Sequence, residues 1–354
     1  MNRIAISPPR LRCPIYRGIA ILARSRYLER KEEVVTLKLL TYSLGKQGPK
    51  IGALTQNGYV IDLQTCLGKH LTEIEGIERG LEIASALIPN EMKELIRGGA
   101  RSLDAVRLAL GYGSQRDLLD EGLFVLENEI HYWPPITHPG KILCAGRNFS
   151  EHARERGVAL SEIPVGFIKV ASALVGHKWA VNVKSNTRLV DYEVEVAVVI
   201  GKRAESVSRE EALDHVFGYS VFNDVSEREI QLKEMRNGTT LASKNFDTFA
   251  PMGPYLVTKD EINRPGDLDL NLKVNGVVRQ ESNTKHMVMD IPELIKYWSS
   301  IMTLEPGDII TTGTPAGIAM AMKPDPTPFY LKPGDLMEAE VEGLGILTNP
   351  IRKY

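Results

Sequence analysis

Cysteine is scarce in this chain. Cys13, Cys66 and Cys144 are odd in number and far apart in 354 residues. They offer neither a disulfide framework nor zinc-ligand spacing, which points to a reducing compartment. An excess of charge of one sign is also missing. The net charge is −2 and no basic block with interleaved aromatics occurs, so no nucleic-acid partner is expected. No apolar run reaches the roughly 18–20 residues that span a bilayer, so no membrane partner is expected either. Acids are missing from the start. Arg3, Arg10, Arg12, Arg17, Arg24, Arg26 and Arg30 appear there, with no acid before Glu29. Such a start reads as a dispensable extension, which predicts a cytoplasmic protein. The alternative is an organelle transit peptide, which predicts the mitochondrial matrix.

Hydrophobic content of 43% and charged content of 25% are those of a globular protein with a sizeable core. Three regions are expected: an extension over 1–35, a small α+β domain over 36–135, and a larger domain over 136–354. In the second region Asn57-Gly58 predicts a type I′ hairpin turn. Helices are expected over 71–87, after Pro89 as far as Gly98-Gly99, and from a Ser102 cap to Gly111. Pro134-Pro135 and Pro139-Gly140 mark a linker. From Lys141 onward, apolar or alternating runs predict strands at 141–145, 165–170, 189–200, 217–223, 251–257, 268–274, 308–312 and 335–342. Helices fit 149–157, 208–216, 226–236 and 290–301. The fold class is α+β, dominated by mixed or antiparallel sheet.

The run Asp191-Tyr-Glu-Val-Glu-Val-Ala-Val-Val-Ile200 is the densest signal. On a strand Glu193 and Glu195 share one face, and Val194, Val196 and Val198 share the other. Both faces are apolar from Val196 onward, so two carboxylates stand side by side at the edge of a dry interior. Alone, the alternation suits a half-exposed strand with a wet acidic face. Asp224, ending the apolar run Phe217–Phe222, supplies a third acid in reach. Together the three suit a hard divalent cation held by oxygen: Mg²⁺ or Mn²⁺, and less well Ca²⁺. Asp191 is a weaker fourth candidate.

Other groups fit a reaction centre. His152 and Glu155, spaced i and i+3 on a helix, suit a general base oriented by a carboxylate. Arg228 and Gln231 share a helix face after Asp224 and suit a substrate carboxylate. Lys244, before an aromatic turn-rich segment, suits an oxyanion. The run Thr311-Thr-Gly-Thr-Pro-Ala-Gly317 permits close backbone approach and offers the Thr314 hydroxyl, but lacks the Gly-Lys-Ser/Thr ending of a phosphate loop.

These motifs occur in one order: Ala145-Gly-Arg-Asn-Phe-Ser-Glu-His-Ala-Arg-Glu155, Phe167-Ile-Lys169 with Ser172-Ala-Leu-Val-Gly176, Asp191–Gly201, Asn223-Asp-Val-Ser-Glu-Arg-Glu-Ile-Gln231, Lys244-Asn-Phe-Asp-Thr-Phe-Ala-Pro-Met-Gly-Pro254, Met302-Thr-Leu-Glu-Pro-Gly-Asp308 and Thr312-Gly-Thr-Pro-Ala-Gly317. Residues from about 141 to 352 thereby resemble the fumarylacetoacetate hydrolase superfamily. The resemblance implies a β-rich sandwich or roll as the catalytic domain, usually in a homodimer. It implies a metal site at Glu193, Glu195 and Asp224, catalytic roles for His152, Glu155 and Lys244, and substrate contacts from Arg147, Lys169, Arg228, Gln231, Gly313 and Thr314. Phe149 and Asn245 depart from the family's commoner tyrosine and serine. The activity expected first is metal-dependent hydrolysis of a C–C bond in a small β-diketo acid of acylpyruvate, fumarylpyruvate or diketo sugar acid type. A second reading uses the same site for decarboxylation or tautomerisation of oxaloacetate, or for hydratase or isomerase steps on 2-oxo acids. A remote third is a non-catalytic metal-bound module. Loops such as 319–329 are the expected substrate determinants.

Overall fold

Valine and isoleucine on both faces of residues 194–200 leave a strand with no wet side, and it becomes the middle of the protein. The computed structural model describes residues 37–55, 57–115, 122–155, 157, 159–185 and 187–354; the arginine-rich extension lies outside them. Strands are β1 (Lys38–Ser43), β2 (Lys50–Leu54), β3 (Tyr59–Asp62), β4 (Phe124–Leu126), β5 (Ile142–Gly146), β6 (Val165–Lys169), β7 (Val194–Ile200), β8 (Val216–Asn223), β9 (Ala250–Thr258), β10 (Asp269–Val274), β11 (Val277–Asn283), β12 (Ile309–Thr311), β13 (Leu336–Val341) and β14 (Gly345–Lys353). Helices are α1 (Leu63–Glu73), α2 (Gly80–Leu87), α3 (Met92–Arg97), α4 (Gly99–Gly113), α5 (Ser150–Glu155), α6 (Arg228–Arg236) and α7 (Ile291–Ile301).

The main sheet runs β4-β3-β2-β1-β9-β8-β7-β12-β5-β6, mostly antiparallel, with β12 and β5 parallel. A smaller sheet, β11-β10-β13-β14, ends on the short strand Val181–Val183. The fold class is α+β, as the sequence predicts. Val194, Val196 and Val198 join Leu270, Leu272, Met337 and Leu347 in the core between the two sheets. Ala197 and Val199 join Leu63, Leu67, Leu95 and Val106 in a second core beneath the helices. The two faces of β7 therefore serve two cores.

Strands between residues 38 and 132 are woven into the main sheet. β1 pairs with β9 through Leu39 opposite Leu256, and His131–Tyr132 pairs back onto β1. Thr36–Tyr354 forms one compact unit, and the prolines at 134–139 lie within it.

Local details differ from the sequence expectations. The single helix expected over 71–87 is two, α1 and α2, separated at Gly76 with φ 70°. α1 begins earlier because Asp62 caps it, accepting from Thr65 N at 2.9 Å. Ser102 is buried inside α4 and caps nothing. The expected helix at 208–216 is only a 3₁₀ turn, Ala212–His215. The Asn57-Gly58 loop closes between Thr55 and Tyr59, one residue longer than a type I′ turn, with Gly58 N donating to Thr55 O at 3.2 Å. That turn type occurs instead at Asn275-Gly276 (φ 52° and 76°), joining β10 to β11.

Leu39→Ala should cost about 2–5 kcal/mol, as buried truncations do. Urea unfolding followed by circular dichroism checks this. The single transition should shift as a whole; a separate early transition would mean that residues 37–135 unfold independently.

Candidate active site

The pairing of β7 with β8 brings the acids together. Val194 lies opposite Asn223, so Glu193 and Asp224 sit at adjacent strand ends. Asp224 N donates to Glu193 O at 2.8 Å, and Glu193 N donates to Asn223 Oδ1 at 2.9 Å. Glu193, Glu195 and Asp224 then offer carboxylate oxygens that all lie within 4.8 Å of one another, and all three residues are buried. The acidic face is dry.

Three buried cations balance them. Lys244 Nζ donates to Glu193 Oε2 at 2.7 Å and to Asp224 Oδ2 at 2.5 Å. Lys169 Nζ donates to Asp224 Oδ1 at 2.6 Å. Arg228 donates through Nη2 to Glu193 Oε1 at 2.5 Å, through Nε to Asp191 Oδ2 at 2.8 Å, and through Nη1 to Gln231 Oε1 at 2.8 Å. α6 can present Arg228 and Gln231 together because Glu227 caps it, accepting from Ile230 N at 2.7 Å.

Burial would raise the Glu193 carboxyl, but Lys244 and Arg228 hold it well below the usual range. Glu195 is different. Burial, then Asp224 and Glu193, push its carboxyl well up, and its hydrogen bond from Gly313 N at 2.9 Å brings no formal charge. Burial draws the Lys169 ammonium down against the pull of Asp224. Burial also opposes the charge of Lys244, yet Asp224 and Glu193 raise it.

Four buried carboxyl groups, Asp191, Glu193, Glu195 and Asp224, are set against three buried cations, Lys169, Arg228 and Lys244, and Glu195 is the one with no hydrogen bond from a cation. A carboxylate without a cationic partner in an oxygen-rich buried cluster fits a hard divalent ion. Asp191 is not in the metal-competent group. Its oxygens accept from Arg228, from the backbone N–H of Tyr192 and Ala319 at 2.9 and 2.8 Å, and from Met320 N at 3.0 Å.

The other predicted residues fall around this cluster. α5 carries His152 and Glu155, with Nδ1 of His152 3.5 Å from Glu155 Oε2. Glu155 accepts from Gly317 N at 3.1 Å, which fixes the carboxylate beside the imidazole. Thr314 is buried and its Oγ1 accepts from Gln280 Nε2 at 2.9 Å. Gly313, expected to touch substrate, donates its N–H to Glu195. Its φ of 83° and its closeness to Ala145 O and Asn148 Cβ require glycine. Lys169 sits on Asp224. Arg147 is exposed in a left-handed turn (φ 54°) and has no ion pair or hydrogen bond with the cluster.

Two positioning residues escaped sequence reasoning. Asn148 donates to Met289 O and Thr312 O, both at 2.8 Å, and accepts from Met289 N at 2.8 Å. Gln280 accepts from Val194 N at 3.0 Å, between the two glutamates, and holds Thr314 and Pro315 O. Asn148 lies inside a motif already singled out. Gln280 follows the Asn275-Gly276 turn and carries no sequence signal of its own.

The family model for the C-terminal domain of fumarylacetoacetate (FAA) hydrolase matches residues 141–352. The chain belongs to the fumarylacetoacetate hydrolase family. The mitochondrial oxaloacetate tautomerase of Bos taurus is 40% identical over 292 residues, covering 80% of this chain and 88% of that protein. An uncharacterized protein of Pyrococcus abyssi is 47% identical over 216 residues, covering 61% of this chain and 91% of that one. The fumarylacetoacetate hydrolase of Exiguobacterium antarcticum superposes with a TM-score of 0.70 at 29% identity, over 90% of this chain and 100% of that one. Maleylpyruvate hydrolase from Sphingobium sp. SYK-6, solved with manganese(II) and pyruvate, gives 0.65 at 28%, over 90% and 99%.

Asp191→Ala would leave the buried Arg228 one carboxylate short, and should cost about 3–5 kcal/mol in urea unfolding. Glu195 makes a pH prediction. Its folded carboxyl binds a proton more tightly than the unfolded one. Its contribution to stability is full below the ordinary value of 4.5 and is lost as pH rises through the raised folded value. Metal-free protein should therefore lose stability as pH rises above the ordinary value of 4.5. Glu195→Gln should flatten that slope and weaken Mn²⁺ binding by calorimetry; an unchanged slope and affinity would contradict the assignment.

Proposed function

We propose that this chain is a divalent-metal-dependent enzyme that interconverts the enol and keto forms of oxaloacetate. The supporting observation is the extended similarity to oxaloacetate tautomerases, which covers most of both chains. It favours the reading placed second on sequence grounds over C–C hydrolysis. The mitochondrial names of these relatives likewise favour the mitochondrial alternative over the cytoplasmic one.

Tautomerisation moves one proton between the C2 oxygen and C3. Mg²⁺ or Mn²⁺ held by Glu193, Glu195 and Asp224 would supply Lewis acidity at that oxygen. Arg228 and Gln231 orient the adjoining carboxylate. Lys244, whose ammonium burial disfavours but Asp224 and Glu193 restore, keeps positive charge beside the oxygen as it becomes anionic. His152 carries the proton to and from C3, and Glu155, held by Gly317 N, orients its ring. No water molecule need attack, so the pair serves as a proton carrier. A homodimer is the expected assembly.

Hydrolysis stays as a second reading because the maleylpyruvate hydrolase shares the architecture at 28–29% identity. Oxaloacetate in its enol form separates the two. With Mg²⁺ or Mn²⁺, loss of enol absorbance should accelerate while no pyruvate accumulates. Pyruvate and carbon dioxide release would indicate decarboxylation. Rapid cleavage of acetylpyruvate or fumarylpyruvate, with inert oxaloacetate, would restore hydrolysis. His152→Ala should slow the proton transfer by about 10²–10⁴-fold while Mn²⁺ binding persists.

A further inference from the structure

Every cation of the central cluster has a carboxylate partner, but one arginine beside it has none. Arg279 makes no ion pair and no hydrogen bond through its side chain among the described residues, and its Nε is buried. Its guanidinium carbon stands 4.9 Å from the centre of the Phe329 ring, so the plane is held by stacking. It is also the extra residue of a β-bulge: Leu272 faces Gln280 and Lys273 faces Val278, leaving Arg279 without a partner in the ladder. Bulges re-aim side chains.

Several contacts place this arginine beside the site. Its neighbour Gln280 holds Val194 N, between Glu193 and Glu195, and the Thr314 hydroxyl. Its carbonyl lies so close to Gly317 that a Cβ there would meet it at 2.2 Å, and Gly317 N holds Glu155. Next to Glu193 is Tyr192, fully buried, with no hydrogen-bond partner for its hydroxyl among the described residues. Burial and then Asp191 push that phenol up, and Arg279 pulls it back, so the two groups feel each other. The Nδ1 of His152, beside Glu155, is likewise buried without a hydrogen bond. Two unpartnered donors, a hydroxyl and a guanidinium, thus lie beside the site among the described residues.

From this juxtaposition we infer that Arg279, with the Tyr192 hydroxyl, binds a second carboxylate at the distal end of the substrate and restricts the enzyme to dicarboxylic 2-oxo acids. The buried Nε–H of Arg279 lacks an acceptor, a cost that a ligand carboxylate would remove. Oxaloacetate carries a second carboxylate on C3; its four-carbon monocarboxylate analogue, 2-oxobutyrate, does not. The inference rests on the 2-oxo acid reading above and adds the recognition of the far end.

Calorimetric binding to Mn²⁺-loaded protein tests it. Wild type should prefer oxaloacetate to 2-oxobutyrate by about 10- to 100-fold, the range of a charge-assisted pair. Arg279→Met should abolish that preference and leave 2-oxobutyrate affinity within about twofold. Tyr192→Phe keeps the ring, serves should the arginine variant not fold, and should reduce oxaloacetate affinity alone. A wild type with no preference, variants that retain it, or an equal loss for both ligands would overturn the inference. Because the readout is binding, strong preference without enol–keto turnover would refute the tautomerase reading and leave this one standing.

Discussion

Arg228 is the constraint on which the site depends. A guanidinium so fully buried must be surrounded by acceptors, and Asp191, Glu193 and Gln231 supply them. Asp191 in turn fixes the backbone at 319–320, and Glu193 is drawn towards Asp224 by Lys244. One buried charge therefore sets the aim of the metal-competent acids, the start of α6 and the entry to the 319–329 loop. Removing any member strands the others in a medium that tolerates no unpaired ion.

The cluster is not self-sufficient. Its cations fall short of its carboxyl groups by one, and Glu195 is the acid with no hydrogen bond from a cation: it accepts from Gly313 N and lies against two other acids. That residue marks the place for a cation. Lys244 touches two of the three metal-competent acids, so one cation holds the positions of both.

Much of this was legible in the sequence because strand alternation is a strict period. Glu193 and Glu195 against Val194, Val196 and Val198 placed the acids on one face, and each expected strand from 141 onward has a counterpart in the fold. Asp224 was legible because it ends an apolar run. Partners that depend on a non-local approach were not. Nothing near Gln280 announces that it reaches Val194 and Thr314 from another sheet, and nothing near Lys169 announces that it faces Asp224. Gly313 stood out because glycines permit close approach; that its N–H holds Glu195 was not legible. The break at Gly76 was missed because the apolar pattern continues across it while the backbone does not.

Gln280 and Arg279 are consecutive residues with opposite commitments. One ties the smaller sheet to the strand between the glutamates; the other is spare. The hairpin β10–β11 thus separates two kinds of change. Substitutions at the tether would disturb the charge centre itself, whereas substitutions at the bulge and at the facing Phe329 loop leave that centre untouched. On that inference the bulge is where a single substitution changes which substrate is held, while the chemistry at the carboxylate cluster stays as it is.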